Sequence, residues 1–422
     1  MEYKLEKLLD SVSIKHPFSK KNIVFLNTSD IEEGNILKKE YSKIDDLPGQ
    51  AKKSIQPNDI LYSEIRPKNK RYAYINFECD DYVVSTKLMV LRNINPDLVH
   101  SKYLYYFLID QKTVNYLQNI AESRSGTFPQ ITFSEVKNLK LDLPSIEKQI
   151  TIINIMDTLN EKINNNKKII ANLEELSQTL FKRWFIDFEF PDENGAPYKA
   201  NGGEMTNSEL GEIPKVWRVE TLEKLGSIIG GGTPSKKNKE YYTNNGIPWI
   251  TPKDLSKNRN IYISHGENDI SELGLNKSSA KLLEKNSVLF SSRAPIGYIA
   301  INNIPVTTNQ GFKSIVPNEE MNPYFIYFIL KNITPLIEQT ASGSTFKEIS
   351  AKGMKSIKIV FPSIELIKQY GNIVKKYFKE INFLENQNIK LIELRDTLLP
   401  KLMSGEIEIP DDVEVNTDEL SI

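Results

Sequence analysis

From residue 145 onward the chain leaves its short apolar and polar runs for one long period, in which Ile152, Met156, Leu159, Ile163, Asn166, Ile170 and Leu173 recur at alternating spacings of four and three. That repeat predicts a helix with a coiled-coil seam rather than a globular stripe. A second run, Tyr370, Val374, Tyr377, Ile381, Leu384, Asn388 and Leu391, predicts another. Pro144 and Pro362 cannot extend a helix from behind, Ser145 and Ser363 can cap free amide groups, and Glu147 and Glu365 fall in the first turn, where the dipole favours them. Helices are therefore expected over 144–190 and 363–403, each a rod of about 60 Å at roughly 1.5 Å per residue. Each seam must be buried, and with one seam per helix the simplest solution pairs the two helices antiparallel. Such pairing could bring together Asn166 and Asn388, the polar members of the two seams, and so set the register; otherwise each faces water.

Ahead of each helix the pattern changes to short β-branched and aromatic runs such as "YVVSTKLMVLR", "IPWITP", "SVLFSSR" and "GYIAI", separated by Asn, Gly and Pro, with helical stretches like "SKYLYYFLIDQKTVNYL" between them. The expected class is α+β, with mixed α/β domains over 1–143 and 215–362, a Gly- and Asn-rich linker over 191–214 and an acidic tail over 404–422. Laying Phe128 on Phe346 aligns residues 124–184 with 342–402 without a gap, matching "TFPQI" to "TFKEI", "LPSIE" to "FPSIE" and "LEELSQTL" to "LIELRDTL". The chain reads as an internal duplication, which gives the expected helix pair a pseudo-twofold symmetry. Upstream the register drifts: "YLYYFL" still resembles "YFIYFI", and "DILYSEIRP" resembles "SVLFSSRAP", but insertions separate them.

With 422 residues, 39% of them hydrophobic and 26% charged, the chain is long enough for two or three cores. A single cysteine, Cys79, excludes an internal disulfide, and three scattered histidines (His16, His100, His265) make a zinc site unexpected. The start "MEYKLEKLLD" has no apolar signal region, and the runs at 103–109 and 325–330 are too short for a bilayer, so a cytoplasmic protein without membrane contact is expected. A net charge of −1 argues against a nucleic-acid partner until its distribution is considered. The last residues, 404–422, hold acids and no Lys or Arg, which leaves the rest basic. One basic cluster holds Lys52, Lys53, Arg66, Lys68, Lys70 and Arg71, and a second holds Lys236, Lys237 and Lys253 with Lys239, Lys257 and Arg259; each fits a nucleic-acid footprint or a solvated surface.

Several motifs add candidates. "GGGTPSKK", with Thr233, Ser235, Lys236 and Lys237, lacks phosphate-loop spacing and reads as a glycine turn that approaches another backbone, with DNA phosphate as one possible partner. "SRSGTFPQI" (Arg124, Ser125, Thr127) and "SGSTFKEI" (Ser344, Thr345, Lys347) are loops that can contact phosphates or serve packing. Arg293 in "SSRAPIGYIAI" could reach guanine or phosphate, or pair with a carboxylate, and "TTNQGFK" adds Asn309, Gln310 and Lys313. "NPYF" at 322–325 is a helix-capping turn rather than a methyltransferase motif. Phe181, Trp184, Phe185 and Phe188 share one helical face, an apolar patch for a partner or for the core. No catalytic constellation or metal-ligand spacing stands out.

Taken together, "GEIPKVW", "GGGTPS" with "GIPWITPKDL", "SSRAPIGYIAI" followed by "TTNQGF", "SGSTFKEI" before "PSIE", "LFKRWFIDFEF" and "LLPKLMSGEI" resemble the specificity subunits of type I restriction-modification enzymes. The first half departs from the pattern, since "YSEIRPKNKRYAYI" lacks the Arg-Ala/Gly-Pro-x-Gly run that "SSRAPIGYI" keeps. The resemblance implies two target recognition domains, each reading half of a bipartite site in double-stranded DNA, with the helices as a ruler between them. It further implies a non-catalytic chain that recruits two adenine-specific methyltransferase subunits and two restriction/translocase subunits. S-adenosylmethionine, ATP and magnesium would belong to those partners and no cofactor to this chain. The competing readings are a stand-alone methyltransferase or nuclease, and a scaffold without base readout.

Overall fold

The computed structural model describes residues 1–123, 129–343 and 347–409. Both long helices start where the Pro-Ser pairs place them. The Ser145 hydroxyl accepts from the Lys148 amide at 3.4 Å, that of Ser363 from the Leu366 amide at 3.3 Å, and the helices run Ile146–Phe185 and Ile364–Met403. The central helix stops short of the expected 190 because Phe188 takes a left-handed backbone (φ 61) and Phe190 turns back to stack on Trp217, 5.0 Å between ring centroids.

The chain divides into two units, Met1–Asn164 with Ile389–Ile422, and Asn165–Asn388. Each unit thus takes part of each long helix, whereas the boundaries expected from the sequence lie at the helix ends. Antiparallel pairing is the reason. Partners descend on one helix as they ascend on the other: Arg395 donates to Asn160 Oδ1 at 3.2 Å in the first unit, and in the second Asn166 donates to Asn388 Oδ1 at 2.9 Å and Tyr370 to the Ser177 carbonyl at 3.1 Å. Ile152, Met156, Leu159, Ile163 and Asn166 are buried as the seam predicts, as are Tyr370, Val374, Ile381, Leu384 and Asn388. Tyr377 is only half-buried, and its neighbour Phe378 is fully buried instead, packed on Tyr324 at 4.4 Å and Phe328 at 5.9 Å. The C-terminal helix serves two neighbours, a helix partner and the domain helix Pro323–Thr340, so its apolar face is wider than a seam.

In the first unit two four-stranded sheets pack face to face. One runs Ser42–Lys43, Asn22–Leu26, Tyr82–Ser85, Ala51–Ser54; the other runs Leu9–Val12, Leu88–Asn93, Ile60–Ser63, Tyr72–Tyr74. Val24, Leu26, Leu61, Ala73, Val84 and Val90 fill the space between them. The second core joins Tyr62, Met89, Tyr103, Leu104 and Leu117 to Ile152 and Met156 of the central helix and Leu399 and Leu402 of the C-terminal one.

The second unit repeats this plan, with a five-stranded sheet in the order Gly226–Gly230, Lys313–Pro317, Val288–Ser292, Ile296–Asn302, Tyr262–Ile263 and a four-stranded one in the order Tyr242–Thr243, Asn268–Ile270, Ile247–Ile250, Thr307–Thr308. In both units a short antiparallel pair (Glu2–Lys4 with Lys140–Asp142, Arg218–Thr221 with Lys358–Phe361) leads into the long helix. Asn322 caps Pro323–Thr340 by accepting from the Phe325 amide at 2.8 Å, the role read for "NPYF". Glu385 of the C-terminal helix is buried and accepts from the amides of Ile261 (2.6 Å) and Tyr262 (3.0 Å), tying that helix to an edge strand; burial pushes its carboxyl up to about 7 despite both hydrogen bonds.

Residues 191–214 are not a loose linker. Met205–Ser208 and Gly211–Pro214 form an antiparallel hairpin, Phe190 stacks on Tyr198 at 4.6 Å, and the Tyr198 hydroxyl donates to the Glu204 carbonyl at 2.8 Å. The aromatic patch is likewise used inside the chain. Phe181, Trp184 and Phe185 are buried among Trp217, Phe325, Phe328 and Tyr370, with Phe188 half-buried edge-on to Trp217, so the patch packs the core and is not available to a partner.

Candidate nucleic-acid interface

In the second unit the candidates converge at the end of the buried strand Val288–Ser292. Ser291 shapes the turn that follows, donating to the Pro295 carbonyl (2.9 Å) and accepting from the Tyr298 amide (2.8 Å). Gly297 sits at φ 98 with Thr334 only 2.7 Å from where a Cβ would lie, so glycine is required there. Arg293 thereby stands beside Glu348, with Nη1 3.3 Å from Oε2, and Lys313 reaches the other carboxylate oxygen at 3.2 Å and the Ser292 hydroxyl at 3.3 Å. One carboxylate thus holds two cations, each partly exposed. The Ser292 amide donates to the Gly311 carbonyl at 2.7 Å, which brings in the loop of Asn309 and Gln310. Asn309 closes that loop by accepting from the Gly311 amide at 2.9 Å.

The glycine turn reaches the same place. A Cβ at Gly231 would lie 1.9 Å from the Asn309 carbonyl oxygen, and one at Gly232 would lie 2.3 Å from the Ala280 nitrogen. Its close neighbour is this chain's own backbone. The approach lets Thr233 hydrogen-bond Gln310 and the Trp249 indole donate to the Gly232 carbonyl at 2.9 Å. Beyond it Ser235, Lys236 and Lys237 are exposed, the two lysines without an ion pair among the described residues. Lys253 pairs with Glu267 at 2.9 Å, and Lys347 is exposed. Ser344 and Thr345 lie outside the described residues, as do Arg124, Ser125 and Thr127.

The first unit builds the corresponding corner from different residues. Ile131 donates its amide to the Glu64 carbonyl (2.9 Å) as Ile349 does to that of Ser292 (3.2 Å), and Ile65 bridges Gln130 as Arg293 bridges Glu348. The ion pair is therefore replaced by an apolar–amide pair. The next residue, Arg66, takes a left-handed φ of 45 where Ala294 has 50, and its side chain is exposed. Lys68 is exposed as well, while its amide donates to Gln118 at 3.1 Å. Lys70 and Arg71 point elsewhere: Lys70 pairs with Glu33 at 2.9 Å, and Arg71 donates to the Ile31 carbonyl at 2.9 Å, fastening the hairpin of Ile31–Glu32 and Asn35–Ile36.

The remaining pair separates. Lys52 is exposed, whereas Lys53 donates to the carbonyls of Leu88 (2.8 Å) and Thr86 (3.2 Å), and burial lowers its pKa from the ordinary lysine value. Both line a cavity of about 520 Å³ with Lys15, Phe18 and Thr86. Sequence reasoning missed Glu348, although it lies in "TFKEI", and Ser292; an acid in a basic site is visible only once its neighbours are placed. Among the described residues no group of three or more His, Cys, Asp and Glu could hold a metal, and no helix is long and apolar enough to cross a membrane.

Residues 11–175 and 214–394 match the family model for the type I restriction modification DNA specificity domain. The chain is 35% identical to the type I restriction enzyme HindI specificity subunit of Haemophilus influenzae, over 96% of this chain and 99% of the relative. It is 39% identical to the MjaIX specificity subunit of Methanocaldococcus jannaschii over 44% of this chain and 42% of that one. A crystal structure of the type I restriction-modification system S subunit from M. genitalium shares the fold, with a TM-score of 0.58, 18% identity and 96% of each chain covered.

Proposed function

The chain belongs to the family of type I restriction-modification DNA specificity subunits, and on that premise we propose how its parts divide the task. Each unit's domain reads one half of a bipartite site in double-stranded DNA, through the strand-end corner and the loops gathered there. The paired helices fix the separation of the two half-sites. The observation that carries this reading is the repeated corner, in which the same backbone hydrogen bonds hold Arg293 and Glu348 in one unit and Ile65 and Gln130 in the other. One scaffold presenting different side chains suits two readers of different sequences.

In this reading the chain performs no chemistry itself. It recruits two adenine-specific methyltransferase subunits, and two restriction/translocase subunits in the full complex, and S-adenosylmethionine, ATP and magnesium act on those partners in the cytoplasm. The test is a genome-wide adenine-methylation map of cells carrying the complex. Exchanging residues 1–143 for the corresponding segment of another family member should change one half-site and leave the other. A map that keeps both half-sites after the exchange refutes the assignment.

A further inference from the structure

Each domain meets the central helix through a buried tyrosine. Tyr106 is 1% exposed and its hydroxyl donates to Asp157 Oδ1 at 2.5 Å, while Lys102 reaches Oδ2 at 2.6 Å. In the second unit Tyr327, 6% exposed, donates to Glu174 Oε1 at 2.9 Å, and Lys331 reaches the same oxygen at 2.7 Å. The two tyrosines occupy the same place in the duplicated "YLYYFL" and "YFIYFI" runs, but Asp157 and Glu174 are not duplicates of each other. Both carboxylates lie on the one helix Ile146–Phe185, and each lysine sits one turn from its tyrosine, before it in the first unit and after it in the second.

We propose that Tyr106–Asp157–Lys102 and Tyr327–Glu174–Lys331 are positioning residues that fix where each reading domain is seated along the central helix, and so fix the number of base pairs between the half-sites. An apolar contact between helices tolerates sliding, because one methyl group replaces another at little cost. A charge-assisted hydrogen bond from a buried hydroxyl does not, since a shift of a fraction of a turn leaves that hydroxyl without its acceptor. The first latch continues into the helix pair: Asn160 donates to the Tyr106 hydroxyl at 3.2 Å and itself accepts from Arg395 at 3.2 Å. In the second unit Glu385 adds a matching anchor from the C-terminal helix to the Ile261 and Tyr262 amides.

This inference rests on the proposed reading of bipartite sites, and its test separates the two. The full complex is assembled with the parent chain, with Tyr106→Phe and Tyr327→Phe together, and with the charge reversals Lys102→Glu/Asp157→Lys and Lys331→Glu/Glu174→Lys. Adenine methylation is then mapped, and thermal unfolding of each variant is followed. The phenylalanine variant should keep both half-site sequences but also methylate sites whose spacer is one base pair longer or shorter, and the reversals should show less of this relaxation than a further variant, Asp157→Asn with Glu174→Gln, assembled and mapped in the same way. A folded phenylalanine variant with the parent's strict spacer overturns the proposal, as does loss of half-site recognition at unchanged spacing. Failure of the underlying reading would show in the parent itself, as a map without a bipartite site.

Discussion

Glu348 sets the charge that the second domain presents at its strand-end corner, because it is shared by Arg293 and Lys313. Glu348→Gln should release both cations, raising non-specific DNA affinity and steepening the fall of log K with log salt by roughly one to two counterions. Fluorescence anisotropy across a salt series checks this, and an unchanged slope places the trio away from phosphate. Glu385 gives a pH signature. Its carboxyl is pushed up to about 7 by burial, above its unfolded value, so the native state holds a proton that the unfolded chain has already lost. Stability from this group therefore falls as pH rises through the interval from about 4.5 to 7, by at most about 1.4 kcal/mol per unit. Glu385→Gln should remove that slope, seen as the difference between urea unfolding of parent and variant at several pH values. The cations at this corner were legible in the letters "SSRAP" and "NQGFK", since their residue types point to DNA. Their shared partner was not, and neither was the use of Lys53, Lys70 and Arg71 as fastenings for carbonyls and a hairpin.

Among the elements, the helix pair was the most legible, because a Pro-Ser start and a period sustained over many turns leave few alternatives. Its Asn pair is placed as the register argument requires, with Asn166 1% and Asn388 7% exposed and Gln387 accepting from Asn166 at 2.7 Å. Asn166→Leu alone should cost about 1–3 kcal/mol, because it strands the buried acceptor of Asn388 and the half-buried one of Gln387, whereas Asn166→Leu with Asn388→Leu should recover most of the loss. Denaturant unfolding of the two singles and the double completes the cycle; equal and additive losses would mean the contact carries no energy. The 191–214 segment reads as a linker because it is rich in Gly, Asn and Glu, while its order comes from Phe190, Tyr198 and Trp217, two of which lie at or beyond its ends. A seam was read for Tyr377 where Phe378 is buried, because heptad spacing considers one partner and the helix has two.

At the scale of the whole molecule, helix length sets the spacing. Inserting four residues, about one turn or 6 Å, into both long helices should change the spacer of the methylated site while both half-sites stay the same. An unchanged spacer in the methylation map removes the ruler. The duplication, the two domains and the antiparallel pairing all followed from pattern, but the division of the chain within each long helix did not, since it depends on which residues meet after folding.

That division dictates an order of events during synthesis. The unit Asn165–Asn388 is one continuous stretch, able to close on itself as soon as its last turn has left the ribosome. The other unit includes residues made before that stretch yet draws Leu399 and Leu402 into its core, so the earlier segment is completed later. Until then Ile152 and Met156 lack part of their cover, and the closing contacts join residues more than half the chain apart, a slow kind to find one another. Translation arrested before residue 389 would leave a finished second unit and a first unit waiting for its final helix.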